Sequence, residues 1–228
     1  MYKLTIANKN YSSWSLRPWI LMKELGIPFE EHLIVFGDEL AWDDFKKNSP
    51  SGLVPSLEDD QTVVWDSLAI TEYLAEQHSQ IWPDNKDARA WARCAAAEMH
   101  SGFSALRSQC GMNCGLTVQL KSVSTELAAD INRIETLWVD GLTRFGGPFL
   151  AGDSFTAVDA FFSAVVFRIQ TYGLELNDIA QDYVQRMLAL ESMQEWYQAG
   201  IQETWRDEDH DLEIKLFGSI TSDIRAVD

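Results

Sequence analysis

The hydrophobic pattern of this chain changes character once, at Ile81-Trp82-Pro83-Asp84-Asn85, and that change constrains the fold more than any other feature. Before it, period-two runs alternate with helical runs. Tyr2, Leu4 and Ile6 alternate with Lys3, Thr5 and Ala7, as in a half-buried strand. A helix carries Leu16, Ile20, Leu21, Met22 and Leu25, with Gly26 as its stop signal. An extended run over 29–35 and a short irregular helix over 41–47 come next. The run 53–57 and the strand 62–65 flank the tight turn 58–61, the pattern of a hairpin. Asp66-Ser67 then caps a helix bearing Leu68, Ile70, Tyr73 and Leu74. The order β-α-β-α-β-β-α implies that the first three strands are parallel and that the hairpin adds an antiparallel edge.

After the change no strand pattern returns. Helical periodicity runs over 87–110, 124–145, 156–172, 177–190 and 192–200, with Gly146 and Gly173 as stops. The expected fold class is α/β plus all-α: one unit over 1–80, a linker over 81–86 and an all-helical unit over 87–228. Thr156 and Asp159 have the spacing of a capping box and read as structural.

Charge narrows the partners. The 228 residues carry a net charge of −17, which argues against nucleic acid and anionic membrane, since both reward Lys and Arg. Apolar residues make up 46%, with nine Trp and eleven Phe, enough for a large core and for aromatic binding surfaces. The N-terminus enters a strand pattern at once, with no signal-peptide pattern, and no stretch is apolar for long enough to span a membrane. Cys94, Cys110 and Cys114 have no disulfide-framework spacing and fit reduced thiols in the cytoplasm. Cys110 and Cys114 lie four apart without a His pair, a poor metal site, so no metal is expected. His100 reads as a packed or surface residue, and the acidic run 206–211 as a solvated segment.

The chemistry concentrates at Asn10-Tyr11-Ser12-Ser13-Trp14-Ser15-Leu16-Arg17-Pro18, where a strand end, a serine-rich turn and a helix start meet. Serine oxygens cap free N–H groups of a first helical turn, and Pro is tolerated there. Such a helix end suits an anion, and a thiolate is one.

Four stretches at matching separations carry a resemblance: Ser12-Ser13-Trp14-Ser15-Leu16-Arg17, Gly52-Leu53-Val54-Pro55-Ser56-Leu57, Asp66-Ser67-Leu68-Ala69-Ile70 and Thr156-Ala157-Val158-Asp159. Together they resemble the cytosolic glutathione S-transferase family, and the serine motif is similar to its zeta-, tau- and theta-like members. The resemblance implies a thioredoxin-like N-terminal domain, a helical C-terminal domain, glutathione as co-substrate and a homodimer. It implies that Ser12, with Ser13 as the alternative, donates a hydrogen bond to the glutathione sulfur. It implies a cis peptide bond at Val54-Pro55 that presents the Val54 backbone to the cysteinyl part. Leu53 stands where the family often has Lys or Arg. Asp66 and Ser67 match the pair that takes the γ-glutamyl end, and Trp14, Phe103, Leu106 and Arg107 fall on the expected wall of the second-substrate pocket. Trp14 replaces the Cys of zeta-type members, which weakens a maleylacetoacetate isomerase assignment.

The energetics of that implied role are feasible. A thiol of pKa near 8.5 must drop by about two units to ionise at neutral pH, which takes roughly 2.7 kcal/mol. One hydrogen bond to the charged sulfur supplies roughly 1.5–3 kcal/mol, and a helix end on the order of 0.3–1 kcal/mol. The expected activity is glutathione conjugation to small apolar electrophiles, in a detoxifying role. Glutathione-dependent peroxide reduction or isomerisation, and non-catalytic glutathione binding in stress regulation, are the alternatives.

Overall fold

In the computed structural model, which describes residues 1–35 and 41–226, the first half follows the expected order. It runs β1 (Tyr2–Ala7), α1 (Ser13–Glu24), β2 (Phe29–Ile34), α2 (Ala41–Asn48), β3 (Ser56–Asp59), β4 (Thr62–Trp65) and α3 (Ser67–Ala75). The four strands form one sheet in the order β2-β1-β3-β4. β1 and β2 are parallel, with Tyr2 opposite Phe29 and Ala7 opposite Ile34.

The third strand departs from the parallel expectation. β3 runs antiparallel to β1, with Lys3 opposite Glu58 and Thr5 opposite Ser56. In an antiparallel arrangement β3 begins at the end where its neighbour finishes, so the connection holding the short α2 need not return along the sheet. The chain therefore re-enters the sheet at the end it left. That end is where β1 hands over to the serine turn, so the turn and the Val54-Pro55 segment meet there.

The second half comprises α4 (Lys86–Ser101), α5 (Ser104–Gln109), β5 (Leu116–Leu120), α6 (Thr125–Phe145), α7 (Ala157–Tyr172), α8 (Asp178–Leu188), α9 (Glu191–Gln202), α10 (Glu208–Phe217) and β6 (Gly218–Asp223). Every residue of α7 except Gln170 is buried, and α7 packs against α1, α4 and β5, so one core runs through both halves. Asp159 anchors the start of α7: its carboxylate accepts from Thr156 N–H (3.0 Å), Leu150 N–H (3.0 Å) and the Tyr183 hydroxyl (3.0 Å).

Two features of this half were not expected. The single helix over 87–110 is broken at Gly102. A Cβ there would lie 2.8 Å from the Glu98 carbonyl oxygen, and Phe103 takes a left-handed φ of 58°. The half is also not purely helical, because β5 and β6 pair antiparallel. β5 alternates Leu116 and Val118 inward with Thr117 and Gln119 outward, a pattern too short to stand out. Its partner Gly-Ser-Ile-Thr-Ser-Asp is mostly polar and lies far along the chain, so no local pattern announces it.

The segment after α9 pegs the two halves together. The Glu203 carboxylate accepts from Lys9 N–H (2.6 Å) and Asn10 N–H (3.1 Å), and Trp196 Nε1 donates to the Lys9 carbonyl (2.8 Å). Asn10 Oδ1 accepts from Cys114 N–H (3.0 Å) and Gly115 N–H (3.2 Å). Arg225 bridges the Tyr11 hydroxyl (2.9 Å), Asp211 (2.8 Å) and Asp223 (2.7 Å). Cys94 is exposed, whereas Cys110 and Cys114 are buried and free, and burial pushes the Cys110 thiol up to about 12.

Candidate functional site

A cavity of about 1020 Å³ opens where the serine turn, the Val54-Pro55 segment and the start of α3 face the helical half. Its first wall comes from the turn. Ser12 is the N-cap of α1; its oxygen accepts from Ser15 N–H (3.4 Å), and its proton goes to Ser15 Oγ (2.7 Å). Ser15 Oγ in turn accepts from Ala7 N–H (3.1 Å), so Ser12 and Ser15 tie the helix start to β1. Ser13, the first helical residue, also lines the cavity. Its hydroxyl has no hydrogen-bond partner among the described residues, nor has the N–H of Trp14 beside it. The two serines therefore differ: Ser12 is occupied by the helix cap, and Ser13 holds a free proton at a positive helix end.

The second wall is Leu53, Val54 and Pro55. The Val54-Pro55 bond is cis. Neither the N–H nor the C=O of Val54 is hydrogen-bonded among the described residues, so both can pair with an extended peptide, as an added strand would. Leu53 is 64% exposed at the rim.

The third wall is the start of α3. Asp66 has φ 75° and caps the helix, its Oδ1 accepting from Leu68 N–H (2.8 Å) and Ala69 N–H (3.3 Å). Its Oδ2 lies 3.5 Å from His100 Nε2. His100, expected as a packed or surface residue, reaches from α4 to this carboxylate. Burial, followed by the nearby guanidiniums, holds the imidazole below its ordinary value against the opposing pull of Asp66. Ser67 is fully buried, and its oxygen accepts from Arg17 Nη1 (3.3 Å). Arg17 is 1% exposed, has its guanidinium carbon 4.1 Å from the centre of the Trp14 ring, and leaves Nε and Nη2 without partners.

The helical half supplies the rest. Of the four residues expected on the second-substrate wall, Trp14 and Arg107 line the cavity, and Phe103 and Leu106 do not. Both are buried in the core instead. The break at Gly102 resets the helical phase, so the stripe extrapolated from α4 no longer holds in α5. Residues that sequence reasoning missed are Tyr11, Phe45, Trp65, Gly111, Met112 and Arg168. The acidic run is a further correction. Asp207, Asp209, His210 and Glu213 form one side of the cavity, because the Tyr11–Arg225–Asp211 bridge folds α10 over it.

These groups can hold an extended peptide along Val54, place a carboxylate on the free Ser67 N–H at the start of α3, and give one hydroxyl proton to an anion. They fit a thiol tripeptide. Among the described residues no group of three or more His, Cys, Asp or Glu could hold a metal.

Comparison with known proteins gives the same picture. Residues 11–77 match the profile "Glutathione S-transferase, N-terminal domain", and residues 88–199 match "Glutathione S-transferase, C-terminal domain". The chain is 33% identical over 114 residues to glutathione S-transferase GstB of Escherichia coli, which covers 44% of this chain and 54% of that protein. It thus matches about half the length of GstB. It is 26% identical over 172 residues to maleylacetoacetate isomerase of Dictyostelium discoideum, covering 72% and 78%. Among solved structures, the fold is similar to glutathione S-transferase unclassified 2 from Bombyx mori, with TM-score 0.71, 21% identity and coverage of 95% and 98%. It is also similar to a Burkholderia glutathione transferase homolog with bound glutathione, with TM-score 0.65, 21% identity and coverage of 87% and 97%.

Proposed function

Because this chain belongs to the glutathione S-transferase family, we propose that it binds glutathione in the cavity between its halves and activates the thiol for attack on a small electrophile. The unit over 1–80 holds the tripeptide, and the helical unit after the 81–86 linker holds the second substrate. Val54 pairs with the cysteinyl backbone. The γ-glutamyl carboxylate meets the free Ser67 N–H, and its ammonium meets Asp66, which His100 orients. Ser13, rather than Ser12, donates to the sulfur, because the Ser12 proton is already given to Ser15. The thiol proton leaves to water, the sulfur forms its bond to the electrophilic carbon, and the leaving group departs with its electron pair.

One observation carries this reading: the free Ser13 hydroxyl shares a cavity with an unpaired Val54 backbone and the start of α3. Retention on immobilised glutathione, together with turnover of a chloronitrobenzene that falls in Ser13→Ala, tests it. Retention with no Ser13-dependent rate would instead favour the non-catalytic binding role. Isomerisation draws on the same thiolate, which adds to a double bond and leaves again after rotation. The isomerase relatives support it, and recovery of unconsumed glutathione identifies it.

The reading extends to a cytoplasmic detoxifying homodimer. Three free thiols fit a reducing compartment. The edge strand β4 exposes Val63 and Trp65, apolar surface that a second copy would cover.

A further inference from the structure

Three guanidiniums gather beside this cavity with no carboxylate in direct contact, although Asp66 acts on Arg17 and Asp130 on Arg107 from further away. Arg17, Arg107 and Arg168 have no carboxylate within 4.0 Å among the described residues, in a chain whose net charge is −17. Arg17 is turned to Ser67 and the glutathione side. Arg107, whose guanidinium also lies over Trp14 at 4.9 Å, and Arg168 line the cavity together with Gly111 and Met112.

Both are fixed by the backbone. Arg107 Nε donates to the Gly102 carbonyl (2.9 Å) and Nη2 to that of Met99, which leaves Nη1 without a partner among the described residues. Arg168 is 4% exposed; Nε donates to the Cys110 carbonyl (2.8 Å) and Nη1 to that of Ala164 (3.2 Å), which leaves Nη2 unpartnered. Burial and then the charge of Arg107 hold Arg168 down to about 10, so the pair is held in mutual repulsion. A buried cation without a partner is costly, and its pairing with an anion is correspondingly favourable. The acidic residues of the cavity are Asp66, which caps α3 and faces His100, Asp207, which caps α10 and pairs with His210, and the exposed Asp209 and Glu213. Asp209 and Glu213 stand in solvent and are screened there, and Asp66 and Asp207 are engaged by their helix caps and by His100 and His210, whereas Arg168 is almost wholly buried.

We infer that the second substrate carries a carboxylate: its apolar body lies against Trp14 and Met112, and its anionic end is taken by the free Nη groups of Arg107 and Arg168. This rests on the glutathione-transferase reading and narrows it from apolar electrophiles to acidic ones.

The test uses binding, so it does not depend on turnover. Benzoate and benzamide have the same ring and differ in charge. Each is titrated calorimetrically into the full-length protein, alone and saturated with S-methylglutathione. Benzoate is expected to bind at least about 10-fold tighter than benzamide in both conditions, the range of one charge-assisted hydrogen bond. Arg168→Met and Arg107→Gln should each remove most of that preference while S-methylglutathione affinity stays within about twofold. If Arg168→Met fails to fold by its melting profile, Arg107→Gln carries the comparison. Equal binding of benzoate and benzamide by the unsubstituted protein overturns the inference. So does loss of benzoate binding on saturation with S-methylglutathione, or a tenfold loss of S-methylglutathione affinity in the variants. Either would mean that the arginines serve glutathione's own carboxylates. Failure of S-methylglutathione to bind would count against the transferase reading alone, since the benzoate preference is read in its absence too.

Discussion

At the residue scale the serine turn separates a cap from a donor. Replacing Ser13 by Ala should remove one hydrogen bond to a thiolate, roughly 1.5–3 kcal/mol, and so raise the apparent pKa of bound thiol by about one to two units. The rate near neutral pH should fall about 10- to 150-fold and recover as pH rises, with stability unchanged. Ser12→Ala should do the reverse: it loses about 0.5–2 kcal/mol of stability as a cap and changes the pH–rate profile little. A larger rate loss in Ser12→Ala would return the donor role to Ser12. Asp159 gives a second residue-scale expectation. Burial lifts its carboxyl to about 6 from an ordinary 3.8, against the pull of its hydrogen bonds. The folded state thus holds this proton more tightly than the unfolded chain. Its contribution to stability is complete below about pH 4 and declines as pH rises through about 6, by about 3 kcal/mol in total. Urea denaturation between pH 4 and 7 should show the unsubstituted protein losing stability with pH relative to Asp159→Asn, which cannot ionise.

At the element scale, what was legible depended on whether a signal was local. The capping residues, the stops at Gly146 and Gly173 and the Val54-Pro55 turn each declare themselves within a few residues, and the structure has them. The break between α4 and α5 hid because Gly102 lies within an otherwise continuous apolar stripe, and the consequence was to misplace Phe103 and Leu106. The closing of α10 over the cavity hid because it depends on Arg225 meeting Tyr11, a contact that no local pattern encodes. That contact is testable. Arg225 is 9% exposed, and Arg225→Met would strand the largely buried Asp211 while Asp223 stays half in solvent. The expected loss is about 3 kcal/mol, the low end for breaking a buried ion pair. Hydrogen exchange should quicken first in β5 and β6; unchanged exchange there would show that other contacts hold the segment.

At the scale of the whole molecule, β4 leaves an edge of the sheet with Val63 at 37% and Trp65 at 45% exposure, and Leu53 exposed nearby along the same rim. A second copy covering this edge would bring the sedimenting mass to twice the 25.9 kDa of the chain at micromolar concentration. Trp65→Glu should return it to one chain, and a single-chain mass for the unsubstituted protein would remove the dimer from the reading. The seam between the halves has a consequence of its own. Its hydrogen bonds run from Asn10 to Cys114, a thiol shut away from solvent, while Cys94 stands open on α4. Alkylating reagents should therefore find Cys94 at once on the intact molecule, reach Cys114 only when the halves part, and reach Cys110 only when the helical half itself opens. The slow labelling of Cys114 becomes a clock for that parting, readable by mass on the native protein, and a ligand that bridges the cleft should slow it.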